Sequence, residues 1–262
     1  MTPMKTKTPL RYYGGKSKMI KHLLPLIPPH QIYIEPFIGG GALFWVKPPS
    51  QREIINDISK PLMNFYRTLR DKFSQLTPLI EQTSYARSTY YYALSIYHKL
   101  QLFSKVEQAW AIWTLLSQGH SGIIRAWGYD KQGSSNRSFF TRKKRFSKIL
   151  SSRLKGVTIL NKDGLNVISR YDSPNNFFYC DPPYFNSLQA HYKGYGKEDF
   201  KQLLNTLASI KGRFLLSAYP SPLLESYIIQ YRWSYTTIEM NMIANKFVTK
   251  KKKKVEVLVW NY

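Results

Sequence analysis

Phe177-Phe178-Tyr179-Cys180-Asp181-Pro182-Pro183-Tyr184 reads as a buried strand that ends in a stiffened acid. Its first four residues form an apolar, aromatic-rich run of strand length. The run stops at Asp181. Proline fixes its own φ and pushes the residue before it out of the helical region, so Asp181 and Pro182 are both extended and stiff. A carboxylate is thereby held at a rigid strand end, with backbone carbonyls and the flat ring of Tyr184 beside it. Open α/β sheets bind ligands at the carboxyl ends of their strands, and this corner suits a planar amine gripped by face and edge. The plain alternative is a strand leaving its sheet through a Pro-Pro turn.

The 262 residues around this stretch suffice for one large α/β domain or a domain with a sizeable insertion. A hydrophobic content of 43% supports a globular protein. Lys and Arg number 39 against 15 Asp and Glu, a net charge of +24. Such a surface seeks polyanions, nucleic acid first and anionic membrane second. No apolar run approaches the roughly twenty residues of a spanning helix, and the basic N-terminus lacks a signal-type apolar core. A soluble, cytoplasmic protein is expected. Cys180 is the only cysteine, which excludes an intramolecular disulfide and a cysteine-based zinc cluster. Within an apolar strand it reads as a small core residue rather than a nucleophile.

Upstream, Arg11-Tyr12-Tyr13-Gly14-Gly15-Lys16 is a glycine turn leading into a helical pattern. Two glycines let the backbone approach a ligand, and Lys16 sits where the helix begins, a place made for an anion. It is not a P-loop, because the four-residue spacer is absent. Ile32 to Glu35 alternates like a strand and runs into Pro36-Phe37-Ile38-Gly39-Gly40-Gly41-Ala42, the strand, glycine turn and helix start on which a nucleotide-like ligand lies in a doubly wound sheet. Glu53-Ile54-Ile55-Asn56-Asp57 then places an acid at a strand end about twenty residues beyond the glycines, where a ribose-binding carboxylate is expected. Capping of the helix that starts near Ser59 is the competing role for Asp57.

Residues 61 to 116 carry apolar positions at spacings of three and four, a mainly helical region whose rings are mostly core. Between Ser117 and Lys148 that regularity fails. Glycines alternate there with Arg125, Lys131, Arg137 and the cluster Arg142-Lys143-Lys144-Arg145, next to Trp127 and Tyr129. This basic loop is suited to a DNA groove, and a solvated loop is its alternative. Val157 to Leu160 is a short strand followed by Asp163, which either meets a ligand amine or caps the next helix. Residues 186 to 197 read as a flap. Helices and strands then alternate to the end, where two strand-like runs flank Lys250 to Lys254, including Lys251 and Lys252. That run is either a hairpin tip on the phosphate backbone or an edge-strand guard.

Together these segments resemble the Dam-like, or D12 class, DNA adenine-N6 methyltransferases over essentially the whole chain. Four stretches in order carry the likeness: Arg11 to Lys16, Glu35 to Ala42, Ile55 to Asp57 and Asp181 to Tyr184. The ending Glu256-Val-Leu-Val-Trp-Asn-Tyr262 is similar to the family's last strand. The resemblance implies an α/β fold, a class I, Rossmann-like methyltransferase sheet formed by residues 1–60 and 155–262, with a mainly helical target recognition domain inserted at 61–154. It implies S-adenosyl-L-methionine as cofactor, duplex DNA as partner and no metal. It places Tyr12 and Lys16 at the methionine end of the cofactor, Glu35, Phe37, Gly39 and Gly41 against it, Asp57 on the ribose, Asp163 near the adenine and Asp181 beside the methyl group. Asp181, Pro182 and Tyr184 then form the catalytic corner for an adenine flipped out of the duplex. The basic residues Arg125, Lys131, Arg137, Arg142, Lys143, Lys144, Lys251 and Lys252 are the expected DNA contacts. An RNA adenine-N6 methyltransferase and a non-catalytic nucleic-acid-binding protein on a degenerate scaffold are the alternatives. The recognition sequence and a cognate restriction endonuclease are left open by the residues.

Overall fold

The structure is a computed structural model that describes residues 7–12, 14–122, 124, 126–129, 133–185, 194–241 and 253–262. Its strands are β1 (Ile32–Glu35), β2 (Arg52–Ile55), β3 (Thr158–Ile159), β4 (Asn176–Cys180), β5 (Arg213–Ala218), β6 (Ser234–Asn241) and β7 (Lys253–Trp260). They form one sheet in the order β3-β2-β1-β4-β5-β7-β6. The run 3-2-1-4-5 is the order of a doubly wound sheet, which reverses direction of winding between β1 and β4. A mixed α/β, Rossmann-like architecture is therefore present, as expected.

By compactness the chain forms two units, Met1–Pro25 with Ile38–Pro49 and Ile55–Asn161, and Leu26–Phe37 with Ser50–Ile54 and Lys162–Tyr262. In the first unit the short α1 (Ile20–Leu23) and α2 (Ala42–Val46) follow the two glycine turns. Beyond them lie α3 (Lys60–Asp71), α4 (Phe73–Gln82), α5 (Arg87–His98) and α6 (Lys105–Gln118). A helix apolar on all sides belongs in the middle of a bundle. α6 takes that place although it carries Gln108, Thr114, Ser117 and Gln118 inward: it is buried almost throughout and packs against α3, α4 and α5. A capping box starts it, with Ser104 Oγ accepting from Glu107 N and Glu107 Oε2 from Ser104 N.

Two further helices complete the unit, α7 (Ser134–Arg145) and α8 (Lys148–Arg153). α7 corrects the expectation of an irregular stretch between Ser117 and Lys148. Only Phe139 of α7 is fully buried, so no apolar period marks the helix in the sequence. Its ring lies 5.5 Å from both Tyr85 and Trp113, and Lys143 Nζ donates to Thr83 O. Tertiary contacts hold this helix where local pattern does not.

In the second unit β1, β4 and β5 run parallel, with Ile34 opposite Phe178 and Cys180 opposite Leu216. β7 pairs antiparallel with β5 and with β6. All five residues of β4 are buried, the environment its unbroken apolar run requires. Helices α9 (Gly164–Arg170), α10 (Lys197–Ser209) and α11 (Pro222–Tyr231) accompany these strands, α10 lying beside both of the others. Among the described residues no helix is long and apolar enough to cross a membrane, and no cluster of three or more His, Cys, Asp or Glu is arranged to hold a metal ion.

Candidate active site

The winding of the sheet reverses between β1 and β4, so ligand chemistry is sought at their carboxyl ends. Both ends carry an acid. Glu35 closes β1 and is 2% exposed, and its Oε2 accepts a 2.7 Å bond from the buried Tyr33 hydroxyl. Asp181 follows β4 and is only half-buried, as is Tyr184, so the corner is not sealed in the core. Burial and the Asp181 charge push the Tyr184 phenol well above its ordinary value, so it remains protonated. It donates to Asp181 Oδ1 at 3.2 Å. Pro182 between them is buried. The sequence reading missed Tyr219, just past β5, whose ring centroid lies 4.1 Å from that of Tyr184. An aromatic residue directly after a predicted parallel strand was the available signal.

Other candidates of this unit divide in role. Asp163 caps α9, its Oδ1 accepting from Leu165 N and Asn166 N. Phe37 lies against Gly164, where an added Cβ would come within 2.4 Å of the ring. Cys180 is buried, and burial together with the charges of Glu35 and Asp181 raises its thiol far above the ordinary value. It cannot serve as a thiolate nucleophile.

In the first unit the two glycine turns meet through Tyr12. Gly15 N donates to Tyr12 O, which closes the first turn. A Cβ on Gly40 would sit 2.7 Å from Tyr12 Cβ, and one on Gly39 would sit 3.0 Å from its ring. Glycine is needed at 39 and 41 for a second reason, their positive φ of 45° and 64°. Asp57 reaches the same turn: Oδ2 accepts from Gly39 N at 3.0 Å and Oδ1 from Ser59 N at 2.9 Å. The carboxylate thus organises the start of α3 and the glycine turn together. Burial raises its pKa above the ordinary 3.8 despite the two amides, which lower it. Tyr66, one of the rings that the helical spacing assigns to the core, is buried and donates to Gly39 O at 2.8 Å. Lys16 is buried at the start of its short helical turn, and its Nζ donates to Gly14 O.

The basic candidates also separate. Arg137 and Lys144 are exposed on α7. Arg142 is half-buried and donates to Ser117 O at 3.2 Å, with burial and nearby Arg11 lowering its pKa to about 10. Lys143 donates to Thr83 O. Arg125, Lys131, Lys251 and Lys252 lie outside the described residues, as do Lys250 and residues 186–193 of the expected flap.

A profile of the D12 class N6 adenine-specific DNA methyltransferases matches residues 12–254. The chain belongs to that family. It is an adenine-specific DNA methyltransferase, and three relatives with related names align with it over most of their own length. The type II methyltransferase M1.LlaDCHI of Lactococcus lactis subsp. cremoris is 27% identical over 96% of this chain and 94% of its own. The type II methyltransferase M.MjaIII of Methanocaldococcus jannaschii is 28% identical over 75% of this chain and 76% of its own. DNA adenine methylase of Escherichia coli K12 is 24% identical over 75% and 72%.

Proposed function

We propose that the methyltransferase is site-specific, uses S-adenosyl-L-methionine, and acts on an adenine flipped out of duplex DNA, with Asp181, Pro182 and Tyr184 as its catalytic corner. The observation that carries the reading is the Tyr184 hydroxyl resting on the Asp181 carboxylate just past the buried strand β4. The names of the curated relatives favour DNA over the RNA and non-catalytic alternatives. We assign residues 61–154 to target recognition, with Arg137 and Lys144 of exposed α7 on the phosphate backbone. Arg142 and Lys143 hold α7 against its neighbours while adding to its positive potential. Arg125, Lys131, Lys251 and Lys252 are further proposed contacts.

The residues present fit a nucleoside with an amino-acid tail. Gly14 has open space where a side chain would stand. Each oxygen of Asp57 accepts one amide, and a carboxylate accepts about four hydrogen bonds, so ribose hydroxyls can be taken as well. Lys16 and Tyr12 suit the methionine end, and Gly39 and Gly41, with their positive φ, shape the turn proposed to lie against the cofactor. Glu35, Phe37 and Asp163 complete the proposed set, Asp163 while still capping α9. When bound, the cofactor supplies an electrophilic methyl group on a good leaving group.

Adenine N6 is a poor nucleophile because its lone pair is delocalised into the ring. Asp181 accepts one N6–H and the Pro182 carbonyl the other, drawing the nitrogen toward a tetrahedral shape with its lone pair turned out of the ring plane. The Tyr184 bond to Asp181 is compatible with this, because the carboxylate has several lone pairs. The Tyr184 ring supplies a stacking face for the flipped base. Catalysis then rests on orientation and electrostatic placement. Asp181→Ala is expected to lower transfer of labelled methyl to adenine in duplex DNA by about 100-fold or more, the scale of losing one preorganised electrostatic partner, with an unchanged melting temperature. Retained transfer would remove Asp181 from this role. Lys16→Ala is expected to weaken cofactor binding more than DNA binding.

A further inference from the structure

The first unit contains a cleft of about 680 Å³ along one side of α3. Four cations line it, Lys60, Arg67, Lys72 and Lys105, against a single carboxylate, Asp71. Asp71 pairs with Arg70 at 2.7 Å, and the four cations outnumber it, so the cleft keeps a net positive charge. Arg67 feels the crowding. Partial burial and the neighbouring Arg70 charge lower its pKa, the Asp71 charge partly offsets this, and the Arg67 Nη2 donates to Ile159 O at 3.1 Å.

The buried floor of the cleft is polar but committed. Asn64 Nδ2 and Thr68 Oγ1 donate to Lys105 O, and Gln108 Nε2 donates to Leu100 O and Phe103 O. With these donors engaged, the cleft has charge at its rim and little directional polarity beneath it. That combination binds phosphate without reading a base edge. Its length argues for a chain of phosphates. Lys60 and Lys72 are separated by twelve residues of α3 and its cap, about 18 Å at 1.5 Å per residue. Several successive phosphates of one DNA strand span that distance, whereas a small anion would meet only one end.

We propose that this cleft grips the sugar-phosphate backbone of the substrate duplex, through Lys60, Lys72 and Lys105 with Arg67 behind them. The proposal rests on the reading of the protein as an enzyme acting on duplex DNA and adds a contact surface to it. The test measures duplex binding by the full chain at several salt concentrations, for wild type and for the triple variant Lys60→Gln, Lys72→Gln, Lys105→Gln. All three lysines are exposed, and an unchanged melting temperature serves as the folding control. Three lost phosphate contacts are expected to reduce the slope of log K against log salt by about 2.7, at about 0.9 per contact. Should the triple variant be unstable, Lys72→Gln alone is expected to reduce it by about 0.9.

Methyl incorporation into the same duplex is followed in parallel. If wild type methylates the duplex and the variant keeps the wild-type slope, the cleft proposal falls while the enzymatic reading stands. If wild type neither binds nor methylates duplex DNA, the enzymatic reading falls and takes this proposal with it. Inorganic tripolyphosphate is the third arm. Thermal protection of wild type by it, lost in a variant whose DNA slope is unchanged, would mean a small-anion site and overturn the proposal.

Discussion

Asp57 shows how one side chain serves local structure and chemistry together. Its carboxylate accepts from Gly39 and Ser59, yet burial raises its pKa. The folded chain therefore holds this proton to a higher pH than the unfolded chain does. Stability contributed by the protonated form is present at low pH and is lost as pH rises from the ordinary 3.8 through the raised value. Denaturant unfolding of wild type and Asp57→Asn across that interval is expected to show wild type losing stability relative to the variant with rising pH. Parallel curves would mean that Asp57 titrates like an exposed carboxyl. The acid itself was legible in the sequence, because a strand followed by glycines sets its place. The bond from Tyr66 to Gly39 was not, because helical spacing marks that ring as core while its hydroxyl's partner lies 27 residues away.

At the scale of elements, β4 and α7 are opposite cases. The β4 run is apolar on both faces and is stopped by two prolines, so its type, end and burial all follow from neighbouring residues. α7 has no such pattern. It begins at Gly133, in the left-handed region at φ 66°, and depends on one buried ring. Phe139→Ala is expected to cost about 3–5 kcal/mol, the usual price of emptying a buried aromatic site. Urea unfolding followed by far-ultraviolet circular dichroism measures the loss. A cost below about 1 kcal/mol would mean that the polar anchors of Lys143 and Arg142 hold α7 by themselves. The pairing of Tyr219 with Tyr184 belongs to the same scale, since register between β4 and β5 brings their ends together.

For the molecule as a whole, the sheet makes Cys180 a reporter of its own integrity. The thiol is fully buried in β4, between β1 and β5, and burial and two nearby carboxylates keep it protonated. Its modification by a soluble disulfide reagent near neutral pH is expected to be negligible in the native protein and to rise in parallel with global unfolding in denaturant. Fast labelling without loss of the fold would show that β4 opens locally. The sequence by itself determined the α/β class, the strand ends bearing Glu35, Asp57 and Asp181, the glycine turns and the polyanion-seeking charge, because each depends on residues a few positions apart or on composition alone. The tertiary structure alone decided that Tyr12 packs on the glycines at 39 and 40, that Arg142 is partly withdrawn from solvent, that α7 is a helix and that four cations line a cleft beside α3. Those features arise from contacts between segments distant in the chain, and spacing along a sequence carries no measure of distance across a fold.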